Sequence, residues 1–212
     1  MTYVATDLFG NADLFEKLKK EIRFGEKDFM FVLGNMVDFG EQTADLLLEL
    51  SYADNVWPIA GRRERTACRM LSGFEKMLSE GGTPDPDFIA EMQAWNSDGG
   101  DATLSGFRSL DHEMREGILE YLSDMPAYET VTVRGKDYLL VAEGITGYKN
   151  GTAPEDYPDG AFFGDNPVTE IDGFVTLASA GTDGTGVADG ERSPGKRLYA
   201  LRLEDMKRYV IE

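Results

Sequence analysis

Short apolar runs and helix-like stretches alternate through the first third of the chain. Residues 3–6 form a brief apolar strand that stops at Asp7, and Gly10 and Asn11 turn the chain. Asp13-Leu14-Phe15-Glu16 has the spacing of a capping box, with Asp in place of Ser or Thr, and opens a helix to about residue 23. Phe29-Met30-Phe31-Val32-Leu33 is continuously apolar between charge and Gly34, the pattern of a strand buried on both faces. Residues 43–52 read as a helix, 55–60 as a third strand ended by Gly61, and 64–78 as a further helix. Successive strand–helix units predict a parallel sheet with right-handed crossovers.

The middle of the chain breaks this rhythm. Gly81-Gly82-Thr83-Pro84-Asp85-Pro86 interrupts it, and residues 87–95 and 110–122 then read as helices around a glycine-rich loop at Gly99-Gly100. We expect one domain over residues 1–212, with a helical insertion at 82–125. Strand patterns resume at 129–133 and 138–141, joined by the turn Arg134-Gly135-Lys136-Asp137 as a hairpin. Residues 146–172, rich in Gly, Pro and Asp, read as an ordered surface loop, and 174–178 and 198–203 as late strands.

Composition narrows the function classes. With 42% hydrophobic residues the chain can bury a core, and no apolar run is long enough to span a bilayer. The net charge of −18 repels nucleic acid and anionic lipid, so neither is an expected partner. The single cysteine, Cys68, and the absence of a basic, leader-like start predict a cytoplasmic protein. The single histidine, His112, rules out any centre built on a histidine cluster.

In three places a polar loop follows the C-terminal end of a strand, where open α/β sheets place their ligand sites. They are Thr6-Asp7-Leu8-Phe9-Gly10, then Gly34-Asn35-Met36-Val37-Asp38-Phe39-Gly40, then Gly61-Arg62-Arg63-Glu64. In order and spacing they resemble G-D-x-H-G, G-D-x-V-D-R-G and G-N-H-E of the calcineurin-like metallophosphoesterases, serine/threonine phosphoprotein-phosphatase branch. The resemblance is strongest over residues 2–75. It returns at Leu139-Leu140-Val141-Ala142-Glu143-Gly144-Ile145, which is similar to L-V-H-A-G-I, and at residues 198–206, similar to the last core strand. It implies an α/β four-layer sandwich: two central mixed sheets flanked by helices. It also implies two metal ions that activate a water against phosphorus.

Carried over position by position, the resemblance implies a degenerate site. Asp7 keeps the first Asp, while Phe9 stands at a metal-binding histidine and has no lone pair to donate. Asn35 replaces the carboxylate that bridges the metals and is a weak substitute. Asp38 keeps an acid that orients a catalytic histidine, and Phe39 stands where many members bind phosphate with Arg. Arg62 replaces a ligating Asn, Arg63 replaces the general-acid histidine, Glu64 keeps its acid, and Ala142 replaces another ligating histidine. Aligning Ala180-Gly181-Thr182 with G-H-T puts Gly181 at the last histidine, next to a segment that reads as shortened by a hairpin. Guanidinium groups do not deprotonate, so Arg62 and Arg63 oppose cation entry, and we expect them to pair with Asp7, Asp38 or Glu64 in a salt-bridge cluster.

Arg62, Arg63, Arg65 and Arg69 form a local basic patch, readable as an anion site or as charge compensation; compensation is the reading taken. Cys68 and His112 sit in different helices and are read as a small core residue and a surface residue. Glu143 is read as a loop acid with an inward-pointing alternative, and Trp57, Met70 and Phe74 as core. The leading expectation is therefore a catalytically silent phosphatase-fold protein, natural or with its site emptied by design, that binds or scaffolds a protein or a phosphate-containing ligand without a cofactor. The alternative is a weak phosphoesterase using Asp7, Asn35 and Asp38, with Glu143 in support, for which Mg²⁺ or Mn²⁺ suits the oxygen donors.

Overall fold

A computed structural model describes residues 1–80, 85–180, 186–188 and 194–212. The strand–helix alternation is realised as β1 Thr2–Thr6, α1 Ala12–Ile22, β2 Phe29–Leu33, α2 Thr43–Tyr52, β3 Val56–Ile59 and α3 Arg62–Glu80. The capping expectation shifts by two residues. Asn11, not Asp13, caps α1 by accepting from the Leu14 N–H, and the helix ends on Arg23 in the left-handed region.

The chain then builds α4 Pro86–Trp95, α5 Asp101–Ser109 and α6 His112–Asp124. Helix α5 lies where a glycine-rich loop was expected. Asn96–Gly100 winds as a π-turn with Gly99 at φ 101°, so α4 passes into α5 without a loop. The hairpin is β4 Tyr128–Val133 and β5 Lys136–Val141; β6 Val175–Ala180, β7 Gly186–Ala188, β8 Leu198–Arg202 and β9 Lys207–Ile211 follow. Strands β7 and β9 have no counterpart in the sequence reading. The proposed shortening near 181–195 falls largely on residues outside those described, as does Gly181.

The strands make two mixed sheets, ordered β3-β2-β1-β8-β9 and β4-β5-β6-β7. Strands β1, β2 and β3 run parallel, and β8 and β9 are antiparallel. Alternation along each strand sorts side chains to two faces. Tyr3, Ala5, Met30 and Val32 pack under helices with Leu18, Leu47 and Met70, and the same cluster holds Trp95, Phe107 and Leu122 of the 86–124 helices. Val4, Phe31, Leu33 and Ile59 point the other way, onto Tyr138, Leu140 and Leu177 of the second sheet. The outer face of that sheet is covered by the 145–171 segment through Ile145, Phe162 and Ile171, with 3-10 turns at Pro154–Asp156 and Asp159–Phe162.

Met70 is core, but Trp57 is 49% exposed, which corrects the sequence reading. The cause is topological: β3 is an edge strand, so a residue there has a neighbour on one side only. Among the described residues, no helix is long and apolar enough to cross a membrane.

Candidate functional site

The C-terminal ends of β1, β2 and β3 meet the C-terminal ends of β5 and β6 at one cleft of about 570 Å³, lined by Asn35, Asp38, Arg62, Arg63, Ala142, Glu143 and Ser179 among others. The loops that frame it are conformationally costly. Asp7, Phe9, Asn35, Asp38 and Phe39 all have positive φ, as do Gly10 and Gly34. For a non-glycine residue such a backbone costs on the order of 1–3 kcal/mol and persists only where surrounding contacts enforce it. The contacts are visible: Phe9 and Gly10 N–H groups donate to the Asn35 and Met36 carbonyls at 2.7 and 2.8 Å. Gly40 packs so closely that an added Cβ would lie 2.3 Å from the Phe9 carbonyl oxygen.

Each candidate acid has a different setting. Asp7 is 1% exposed; its Oδ1 accepts from the Asn35 amide at 2.9 Å, and the same amide nitrogen donates to Ser179 Oγ at 2.9 Å. Thr6 Oγ1 also donates to Ser179 at 2.7 Å. Asp38 is fully buried and receives the Arg63 guanidinium at 2.9 Å and the Thr103 hydroxyl at 3.0 Å. Burial raises its pKa above the usual carboxylate value even though Arg63 and Thr103 pull it down.

Glu64 is also fully buried, and its partners are backbone rather than arginine. Oε1 accepts from Met36 N–H at 2.7 Å and Oε2 from Gly61 N–H at 3.0 Å, so one side chain clasps the second loop to the third. Burial pushes its pKa up against the pull of those N–H groups. The expected salt-bridge cluster thus forms around Asp38, while Asp7 and Glu64 are held by hydrogen bonds in the contacts described above.

Arg63 occupies the middle of the cleft wall. Besides Asp38 it reaches Asp98 at 3.2 Å, and its guanidinium lies 4.7 Å from the Phe39 ring centroid and 6.0 Å from that of Phe9. The two rings meet edge to face at 5.4 Å. Arg62 turns to the rim, toward Glu143 at 3.6 Å and Asp165 at 3.5 Å. Glu143 is therefore a cleft residue and not merely a loop acid; its carboxylate also accepts from the Arg62 backbone N–H at 3.3 Å. Arg65 donates to the Met125 carbonyl at 2.7 Å, and Arg69 pairs with Glu91. Arg62, Arg63 and Arg69 thus face carboxylates, whereas the hydrogen bonds of Arg65 go to the backbone carbonyls of Ser123 and Met125. His112 meets Glu75 at 3.1 Å on the surface, and Cys68 is a half-buried thiol whose pKa burial raises.

The sequence reading missed Thr103, Trp95, Asp98 and Ser179. Thr103 accepts from Asp38 N–H at 2.8 Å as well as donating to its carboxylate, and Gly99 O accepts from Phe39 N–H at 2.9 Å. The π-turn and α5 thus brace the second loop. Ser179 lies one residue beyond the strand read at 174–178, which continues as β6 to Ala180, so that reading gave it no signal.

A crystallised candidate diadenosine tetraphosphatase aligns with 99% of this chain and 92% of its own, at a TM-score of 0.62 and 10% identity. The chain has the metallophosphoesterase fold. A hypothetical protein from Pyrococcus horikoshii OT3 aligns with 100% of this chain and 88% of its own at 19% identity, with a TM-score of 0.49. A metallophosphoesterase from Sphaerobacter thermophilus aligns with 68% of this chain and 46% of its own at 17% identity, with a TM-score of 0.41. No family model matches the chain, and no curated protein matches it by sequence.

Proposed function

We infer that this is a metallophosphoesterase-fold protein that does not perform two-metal phosphoester hydrolysis and acts instead as a binding or scaffolding module. The observation that carries the reading is the Arg63–Asp38 pair at 2.9 Å, a fixed positive charge inside the cleft and stacked on Phe39. Two cations need converging lone pairs. Here Phe9 and Ala142 offer none at the positions the resemblance gives to ligating histidines, and Asn35 turns its amide N–H toward Asp7. Among the described residues no group of three or more His, Cys, Asp or Glu side chains converges in a metal-binding arrangement. The donor set does not suit a metal pair, so no hydrolytic step is derived through one.

The residual site does not favour an anion either. Arg63 is taken up by Asp38 and Asp98, and Arg62 by Glu143 and Asp165. A phosphate would have to displace carboxylates from both. The test is turnover of a chromogenic phosphomonoester with Mn²⁺ or Mg²⁺ added to the intact chain. The reading predicts none above the metal-only blank. Turnover that disappears in Asp7→Ala would establish the weak-phosphoesterase alternative instead.

A further inference from the structure

At the corner where β3 and β4 approach, the two sheets are pinned by the Ala60 N–H donating to Pro126 O at 2.8 Å. Away from that pin they part, leaving an apolar groove of about 290 Å³ between Phe29, Phe31 and Trp57 on one wall and Glu129, Thr130 and Val131 on the other. Phe29 and Trp57 are 48% and 49% exposed although they share the faces of β2 and β3 that carry Phe31 and Ile59 into the inter-sheet core. This groove is separate from the cleft and stands whether or not the cleft hydrolyses anything.

The two rims differ in what their backbones offer. On β3, Pro58 lacks an N–H and Ala60 is already bonded, so that edge is blunted. On β4 the tight turn at Arg134-Gly135 makes Val133–Lys136 a hydrogen-bonded pair, and alternation gives Val131–Tyr138 and Glu129–Leu140 the same role. The N–H groups of Tyr128, Thr130 and Thr132 then point outward. For Thr130 the consequence is visible: its N–H donates to the Glu129 carboxylate at 2.9 Å. That acid is a removable cap on a receptive edge.

We propose that this groove docks an extended segment of a partner protein, added as a strand to β4, with alternate apolar side chains over Trp57 and Phe29 and basic residues at its flanks. The incoming backbone carbonyl replaces the Glu129 carboxylate at Thr130 N–H, and the released carboxylate meets a flanking Lys or Arg. Charge chooses this occupant over a second copy: Glu129 is the charged side chain lining the groove, and two chains of net charge −18 repel. Size agrees, because a stable dimer buries about 800 Å² on each partner and a groove of this volume suits a few side chains.

The experiment is fluorescence anisotropy of labelled Lys-Lys-Val-Thr-Val-Thr-Val-Lys-Lys against the intact chain, beside the same peptide with Glu flanks. Saturable binding is expected, weaker by about tenfold or more for the Glu-flanked peptide and for Trp57→Lys and Thr130→Pro, with melting temperatures unchanged. Thr130→Pro decides the matter if Trp57→Lys does not fold, because the outward N–H it removes lies outside the β4–β5 ladder. Absence of saturable binding, equal binding of the Glu-flanked peptide, or indifference to Thr130→Pro overturns the proposal. So does a dimer in sedimentation that Trp57→Lys dissociates, which would assign the groove to a second copy.

Discussion

Glu64 offers the sharpest test of how the strand-end loops are held. Its two carboxylate oxygens satisfy the Met36 and Gly61 N–H groups at 2.7 and 3.0 Å in a fully buried setting. Glu64→Ala orphans both donors. At about 1–3 kcal/mol for each buried unsatisfied group, the loss is about 2–6 kcal/mol before any cavity cost. For a chain of this size that lowers the melting temperature by roughly 4–24 °C. Glu64→Gln keeps one acceptor and sets an amide nitrogen against the other donor, so it loses about 1–3 kcal/mol. Urea unfolding at several pH values also reads the sign of the titration. The folded-state pKa of Glu64 is raised, so its stabilising contribution is full below the unfolded carboxylate pKa and declines as pH rises through the folded one. The deficit of Glu64→Gln relative to the native chain must therefore shrink as pH rises across that window. A loss below about 1 kcal/mol for Glu64→Ala would refute the clasp, and a deficit that grows with pH would refute the dominance of burial over the N–H donors at this carboxyl.

Arg63→Ala leaves the Asp38 carboxylate buried without its cation and should cost about 3 kcal/mol, the low end for a broken buried pair because Arg63 is 27% exposed; chemical unfolding measures it. Gly40→Ala drives a Cβ into the Phe9 and Gly10 carbonyls at 2.3 and 2.4 Å and should destabilise by at least about 1–3 kcal/mol in the same assay. The two tryptophans separate by exposure, Trp57 at 49% and Trp95 at 6%, so acrylamide should quench one emission component, and Trp57→Phe should abolish that component alone.

What the sequence revealed follows from which signals are local. The continuous apolar run from Phe29 to Leu33 reads as a strand buried on both faces, and β2 is buried from Met30 onward while Phe29 at its start is exposed; the three loops after β1, β2 and β3 stand at strand ends as their spacing required. Helix α5 was hidden because Gly99-Gly100 is ordinarily loop chemistry, whereas here Gly99 at φ 101° closes a π-turn that carries α4 into α5. Strand β9 was hidden because its turn uses Met206 at φ 58°, a residue with no turn signature. Trp57 looked like core because composition does not say which strand lies at an edge. The functions of Glu64 and Thr103 were invisible for another reason. Both act on backbone groups of the second loop, and only the packed structure shows which N–H groups lack a partner without them.

The central claim is that fixed positive charge and apolar side chains stand where a metal pair would need donors. The most direct measurement is bound-metal content after equilibrium dialysis of the intact chain against Mn²⁺. The account predicts substoichiometric metal, unchanged in Asp7→Ala. Two tightly held ions per chain, lost in Asp7→Ala, would contradict it.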